Sequence, residues 1–201
     1  MTDRRPRNPG FSDVHDPGID GSGDRAHDSL PPFTFRHRII PAVHAVVAER
    51  FDGSDPGLAA VYAAVTARSS NAVLPGELPY SVLAGSVFVC LDGEEELVVG
   101  PGSGAGGGHR FHAWAGRRHP SGRMEVADLS TRHFNAWLDL PGLPRFPRAV
   151  WAYEDDVPRA FRYAASAEAT ERARESLRTS CEESVVGAAR EVVERLRATA
   201  G

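Results

Sequence analysis

Lysine is missing from this chain altogether, and all 23 of its basic side chains are arginine. That excludes a lysine Schiff base and a phosphate loop that ends on lysine. Cysteine is nearly missing. Cys90 and Cys181 fit neither metal-binding spacing nor a disulfide framework, which fits a reducing cytoplasm. A basic excess is also lacking. The formal charge is -4 and the pI about 6.1, so the chain has no general attraction for nucleic acid. No apolar run approaches membrane-spanning length, and the opening MTDRRPRNPGFSDVHDPGID has no apolar core of a secretory leader. Neither a membrane partner nor export is expected.

What is present suits one domain with tails. The 201 residues are 41% hydrophobic, enough for one core. Residues 1–31 are rich in Asp, Arg, Gly and Pro and poor in large apolar side chains, so they read as a disordered N-terminal tail. In the segment FTFRHRIIPAVHAVVAERF, Ile40, Val43, Val47 and Phe51 recur at helical spacing, with His44 and Val46 beside them. Pro41 suits a first turn. His44 reads as a packed core histidine. A second helix follows an Asp-Pro start, with Leu58, Val61, Tyr62 and Val65 on its apolar face.

The middle of the chain has the alternation of strands. VLAGSVFVCLDG and EEELVVG read as a hairpin turning at Asp92-Gly93. GPGSGAGGG reads as a flexible loop. HRFHAWAG and GRMEVADLS are two further strands, with Pro120 and Gly122 in the turn between them, and AVWAY is a short last strand. YEDDVPR reads as a surface loop. From Ser166 onward the pattern is helical. Ala173, Leu177, Cys181, Val185, Val192 and Leu196 form a stripe that docks on the body or pairs with a second copy, and Gly187 marks a break. Helices, then an antiparallel sheet, then helices make an α+β plan.

Four of the eight histidines lie between residues 106 and 134. If the two strands of that stretch are antiparallel neighbours turning near His119-Pro120, His112 and Asp128 face each other across the ladder. A carboxylate so placed orients the imidazole, fixes its tautomer and steadies the imidazolium. The other reading is a polar cross-strand pair on a solvated face.

The stretch FHAWAG…GRMEVADLS resembles the His-Ala-Trp…Asp signature of the transglutaminase-like branch of papain-like cysteine enzymes, over roughly residues 58 to 135. It also resembles the FHAW…D hairpin of a little-studied bacterial family with that core. The resemblance implies an α+β fold in which N-terminal helices pack on a small antiparallel sheet. On that basis the domain spans 32–165, and 166–201 is a C-terminal helical segment. His112 would be the general base, Asp128 its orienter, and Trp114 a packing residue beside bound substrate. The implied activity is hydrolysis or acyl transfer on an amide, ester or thioester of a small-molecule or peptide substrate, with no cofactor. The alternative is a catalytically degenerate binding or regulatory module of the same fold.

The same resemblance calls for a cysteine at the start of the second helix, where a thiol is acidified by the helix end and by a protonated histidine. Ala59, Ala60 and Val61 stand there instead. Cys90 is the only nearby thiol, on a strand whose alternation gives it one face with Phe88 and Ser86, and it is the candidate nucleophile. Its alternative role is that of a small buried hydrophobe. Cys181 belongs to the C-terminal stripe. His109 and His112, three apart on a strand, point to opposite faces and do not make one metal site. His119 and His133 add ligand types without ligand spacing. Arg110, Arg117, Arg118 and Arg123 form a local basic patch, read either as a solvated turn or as a seat for an anionic substrate.

Overall fold

The computed structural model describes residues 31–53, 57–74, 78–91, 94–99, 111–134, 146–157 and 161–199, with backbone alone for 89–91 and 94–99. The tail and the Gly100–Gly108 loop anticipated from sequence lie outside these residues. Two helices, α1 (Phe33–Arg50) and α2 (Leu58–Val73), lead into strands β1 (Ser81–Leu91), β2 (Glu94–Val99), β3 (His112–Arg118), β4 (Met124–Asp128), β5 (Val150–Tyr153) and β6 (Phe161–Ala165). Helices α3 (Ala167–Ser180) and α4 (Glu182–Ala198) follow. This is an α+β fold.

All strand pairs are antiparallel, in the order β2-β1-β3-β4-β5, with β6 also paired to β1. The eleven residues of β1 let it serve three partners: β3 over 81–85, β6 over 85–89 and β2 over 87–91. The Tyr163 hydroxyl on β6 reaches Asp128 on β4, although β1 and β3 lie between those strands. The sheet is therefore strongly curled.

Alternation sorts the sheet residues onto two faces. On the convex face, Ala84 and Ala113 meet Ala60 and Ala63 of α2 and Ala169 and Ala173 of α3 in a cluster whose buried members are all alanine, with Val82, Phe111 and Leu177 packed against it. Side chains this small let helix and strand backbones approach closely. Next to it Ala115, Ala127 and Trp151 pack with Ile39, Val43 and Val47 of α1, Val61 and Val65 of α2, and Val185, Val192 and Leu196 of α4. The C-terminal stripe thus docks on the body of the same chain. On the concave face, Val87, Trp114, Val126, Val150 and Tyr163 close over Phe134 and Phe146.

Several local expectations change. Pro41 lies inside α1, which begins eight residues earlier at Phe33, because Phe35 and Ile39 already pack on the core. The break between the last helices falls at Cys181 (φ −153°), not at Gly187. Gly187 stays helical, and a Cβ there would come within 3.3 Å of the Arg50 guanidinium. The segment after YEDDVPR is a strand, β6, which alternation did not reveal. Ser166 caps α3 by accepting from the Ala169 amide, and its own amide donates to the Ala84 carbonyl. The exposed edge of β1 is covered in the same way. Thr170 Oγ1 accepts from the Ala84 amide, and the Arg174 guanidinium donates to the Val82 carbonyl.

Gly85 sits where β1, β3 and β6 meet, and an added Cβ would fall 2.0 Å from the Ala164 carbonyl oxygen. That oxygen belongs to backbone and cannot swing aside. Gly85→Ala is expected to destabilise the fold by about 1–3 kcal/mol. Urea denaturation read by circular dichroism measures this, and an unchanged midpoint would mean that β6 shifts freely.

Candidate functional site

The β3–β4 hairpin turns over His119–Arg123. The Gly122 amide donates to the His119 carbonyl, the His119 amide donates to the Arg123 carbonyl, and Gly122 has φ +87°. This is a three-residue loop with glycine in the left-handed position. It centres the hairpin on Ser121, one residue later than Pro120, the midpoint of His112 and Asp128. Ala115 therefore opposes Ala127, and Arg117 opposes Glu125. Continued to the strand ends, the same register sets Ser130 opposite His112. His112 and Asp128 are thus diagonal neighbours on one face, not directly opposed, and their side chains still meet.

His112 Nε2 lies 2.6 Å from Asp128 Oδ2, and both side chains are 1% exposed. The solvated cross-strand pair is therefore not what forms. Asp128 is held from three further directions. Tyr163 Oη donates to Oδ2 at 2.9 Å, while the amide and hydroxyl of Ser130 donate to Oδ1 at 2.9 and 2.8 Å. Burial alone would raise the Asp128 pKa, but the His112 imidazole and the Ser130 donors outweigh it and bring the pKa below its ordinary value. Burial, and then the same carboxylate, drives the Tyr163 phenol well above its ordinary pKa, so it stays a proton donor. With Asp128 ionised, Nε2 directs its proton to Oδ2. Nδ1 of His112 is buried and has no hydrogen-bond partner among the described residues.

The walls of this site are aromatic. Trp114 stacks on His112 with ring centroids 6.2 Å apart, and Phe134 meets the imidazole edge-on at 4.7 Å. Trp114 is itself buried against Tyr163, at 5.0 Å. It packs against the His112 ring. Tyr163 and Ser130 escaped the sequence reading. Tyr163 is on the unrecognised strand β6. The Asp-x-Ser spacing at 128–130 was the available signal for Ser130.

The anticipated nucleophile is not brought to this pair. The backbone of Cys90 pairs with Glu95, five residues along β1 from Gly85, the residue opposite His112. At the rise of a strand this is about 16 Å. The start of α2, with Ala60, packs on Ala113, and alternation puts Ala113 on the opposite face of β3 from His112. The other histidines are also dispersed. His119 Nε2 is 2.8 Å from Glu125, and His133 lies against Tyr62. No group of three metal-ligand side chains forms among the described residues.

A second buried acid is on the convex face. Glu125 is 0% exposed. It accepts from Tyr80 Oη at 2.6 Å, from Trp151 Nε1 at 2.5 Å, and from Arg117 through Nε and Nη2 at 3.1 and 2.9 Å. The expected basic patch thus loses Arg117 to an internal ion pair. Arg123 pairs with Asp156 at 2.9 Å and lies over the Tyr153 ring. Arg110 lies outside the described residues. Glu125→Gln strips Arg117 of its counter-charge and is expected to cost about 3–5 kcal/mol in urea denaturation. A loss below about 1 kcal/mol would show that the pair is solvated.

His44 on α1 faces Tyr62 at 5.4 Å between ring centroids. Burial, then the charges of Arg132 and His133, lower its pKa to about 4. The unfolded chain therefore binds a proton near pH 6.5 that the folded chain refuses until about pH 4, so stability falls as pH drops through that window. His44→Phe is expected to flatten this slope in denaturation midpoints from pH 7 to 4. Asp128, with its lowered pKa, acts only further down, below about 3.8. An equal slope in His44→Phe would assign the loss to another group.

No protein-family model and no curated protein matches this chain. Among solved structures it is similar to the crystal structure of "genomics APC5867". The two share 16% identity with a TM-score of 0.57, over 85% of this chain and 82% of that one. The likeness extends to the fold. Among the described residues no helix is long and apolar enough to cross a membrane.

Proposed function

We propose that this chain is a hydrolase or acyltransferase of transglutaminase-like or papain-like type, with His112 as general base and Asp128 as its orienter. The observation that carries this reading is the buried Nδ1 of His112, without a hydrogen-bond partner among the described residues, on an imidazole whose other nitrogen is fixed on an ionised carboxylate. Nδ1 then presents a lone pair in a site of low dielectric, where an acidic hydrogen is its natural complement.

The attacking group is the point of departure from the resemblance. The start of α2 offers Leu58, Ala59 and Ala60, and Cys90 is placed far along β1. We assign the attack to water or to the hydroxyl or thiol of an acceptor substrate. Nδ1 takes the proton of that group as its oxygen or sulfur bonds to the acyl carbon. The imidazolium returns the proton to the departing amine, alcohol or thiol, and Asp128 steadies the positive charge in between. Trp114 would border the acyl group. The substrate is a small molecule or peptide, the setting is the cytoplasm, and no nucleic acid takes part. A binding module of the same fold is the second reading, favoured by the alanines at the start of α2.

A panel of p-nitrophenyl esters, acyl thioesters and anilides tests the proposal. His112→Ala is expected to lower kcat/KM by about 10²–10⁴-fold with the fold retained, while Cys90→Ala leaves it unchanged. Full activity in His112→Ala would overturn the assignment of the base. Loss of activity in Cys90→Ala would overturn the assignment of the attacking group. Stoichiometric zinc or iron in the purified protein would replace both with metal-assisted hydrolysis.

A further inference from the structure

On the helical side of the sheet, remote from His112, a cleft of about 320 Å³ opens between α2, the start of β1, α3 and α4. Its volume lies at the small end of the range for ligand sites, about 300–1,000 Å³. The floor is apolar, with Ala64 and Ala67 from α2, Val82 from β1, Leu177 from α3 and Val185 from α4. The two alanines keep the α2 wall low, which leaves the space open. The rim is charged. Arg68 comes from α2, and Arg174 and Arg178, one helical turn apart, come from α3. Among the described residues Glu182 is the only carboxylate on the lining, while the partners of Arg174 and Arg178, Glu171 and Glu175, lie outside it.

Each of these guanidinium groups already holds a carboxylate, but a solvent-exposed one. Arg68 pairs with Glu182 at 3.2 Å, Arg174 with Glu171 at 3.0 Å and Arg178 with Glu175 at 2.7 Å, and all six side chains are exposed. Exposed pairs of this kind contribute about 0–1 kcal/mol, so an incoming anion displaces them readily. Arg178 grips Glu175 through both Nε and Nη2, at 3.0 and 2.7 Å, the forked geometry that suits a planar carboxylate. Arg174 is steadied in place by its bond to the Val82 carbonyl at the cleft wall.

We propose that this cleft is a binding site for a small organic carboxylate, with its apolar body on the alanine and valine floor and its head on Arg174 and Arg178. The site is independent of whatever His112 does. The requirement is amphipathic. An inorganic anion gains nothing from the floor, and an alkylamine is repelled by the rim.

The probes are hexanoate, hexylamine and inorganic phosphate, titrated into the full chain and followed by amide NMR shifts at Ser81, Val82 and Leu177. Hexanoate is expected to bind at least tenfold more tightly than phosphate, with hexylamine silent. The double variant Arg174→Gln and Arg178→Gln is expected to lose at least tenfold in hexanoate affinity. Both residues are solvent-exposed, so the fold tolerates the change. Ala67→Leu, which fills the floor, is expected to weaken hexanoate while leaving phosphate unchanged. His112→Ala is expected to bind hexanoate as the parent does. Binding that survives the double arginine variant, equal binding of phosphate and hexanoate, or no shifts at millimolar hexanoate would each overturn the proposal.

Discussion

Strand β4 carries two fully buried carboxylates, three residues apart and on opposite faces of the sheet, and most of the remaining structure serves to make that tolerable. An isolated carboxylate in a protein interior costs several kcal/mol. The two faces meet this cost differently. Glu125 is matched by a permanent cation, Arg117, by the donors of Tyr80 and Trp151, and by the His119 imidazole at 2.8 Å. Asp128 is matched by neutral donors from Ser130 and Tyr163 and by a partner whose charge can change, His112. The first arrangement is a brace between β3, β4, β5 and the approach to β1. The second leaves His112 Nδ1 without a hydrogen-bond partner among the described residues. Both acids thus have a buried histidine beside them, and only Glu125 has a permanent cation as well.

The curl of the sheet follows from the same constraint. Tyr163 reaches Asp128 only if β6 and β4 approach across the concave side, and the aromatic filling of Trp114, Phe134 and Phe146 excludes water from the pair. On the convex side, alanines at 84, 113, 169 and 173 let α2 and α3 lie close to the strands. The helices therefore stiffen β3 from behind without intruding on His112. The face with helices and the face with the His-Asp pair are separated by the thickness of the sheet, and the arginine-rimmed cleft belongs to the helical side.

Much of this was legible in the sequence where one period dominates. The alternation in HAWAG and MEVAD marks β3 and β4, and the contact between His112 and Asp128 follows from a hairpin between them. Register was off by one residue at the turn, because Gly122 needs a positive φ and draws the centre of the loop past Pro120. The slip left both side chains on the same face, since it moved the pairing by two positions. Glu125 was overlooked for a related reason. In the corrected register it opposes Arg117, and only then does a charge in the middle of a strand read as a buried ion pair. In α2, twelve of sixteen residues are buried, so no single apolar stripe describes it and its position between two layers was not evident. Strand β6 is five residues long, and FRYAA lacks the β-branched side chains that announce a strand.

Chain order adds a constraint in time. Asp128 receives its last hydrogen bond from a strand that begins more than thirty residues later, and β6 finds its place only by pairing with β1, some eighty residues upstream. Closing so long a loop is slow compared with forming the β3–β4 hairpin, which is local. During synthesis the hairpin can thus exist with its acid and its histidine already neighbours, while the concave side still lies open to water. The pair becomes enclosed, and its carboxylate fully held, only after the ribosome has delivered the strand that bears Tyr163.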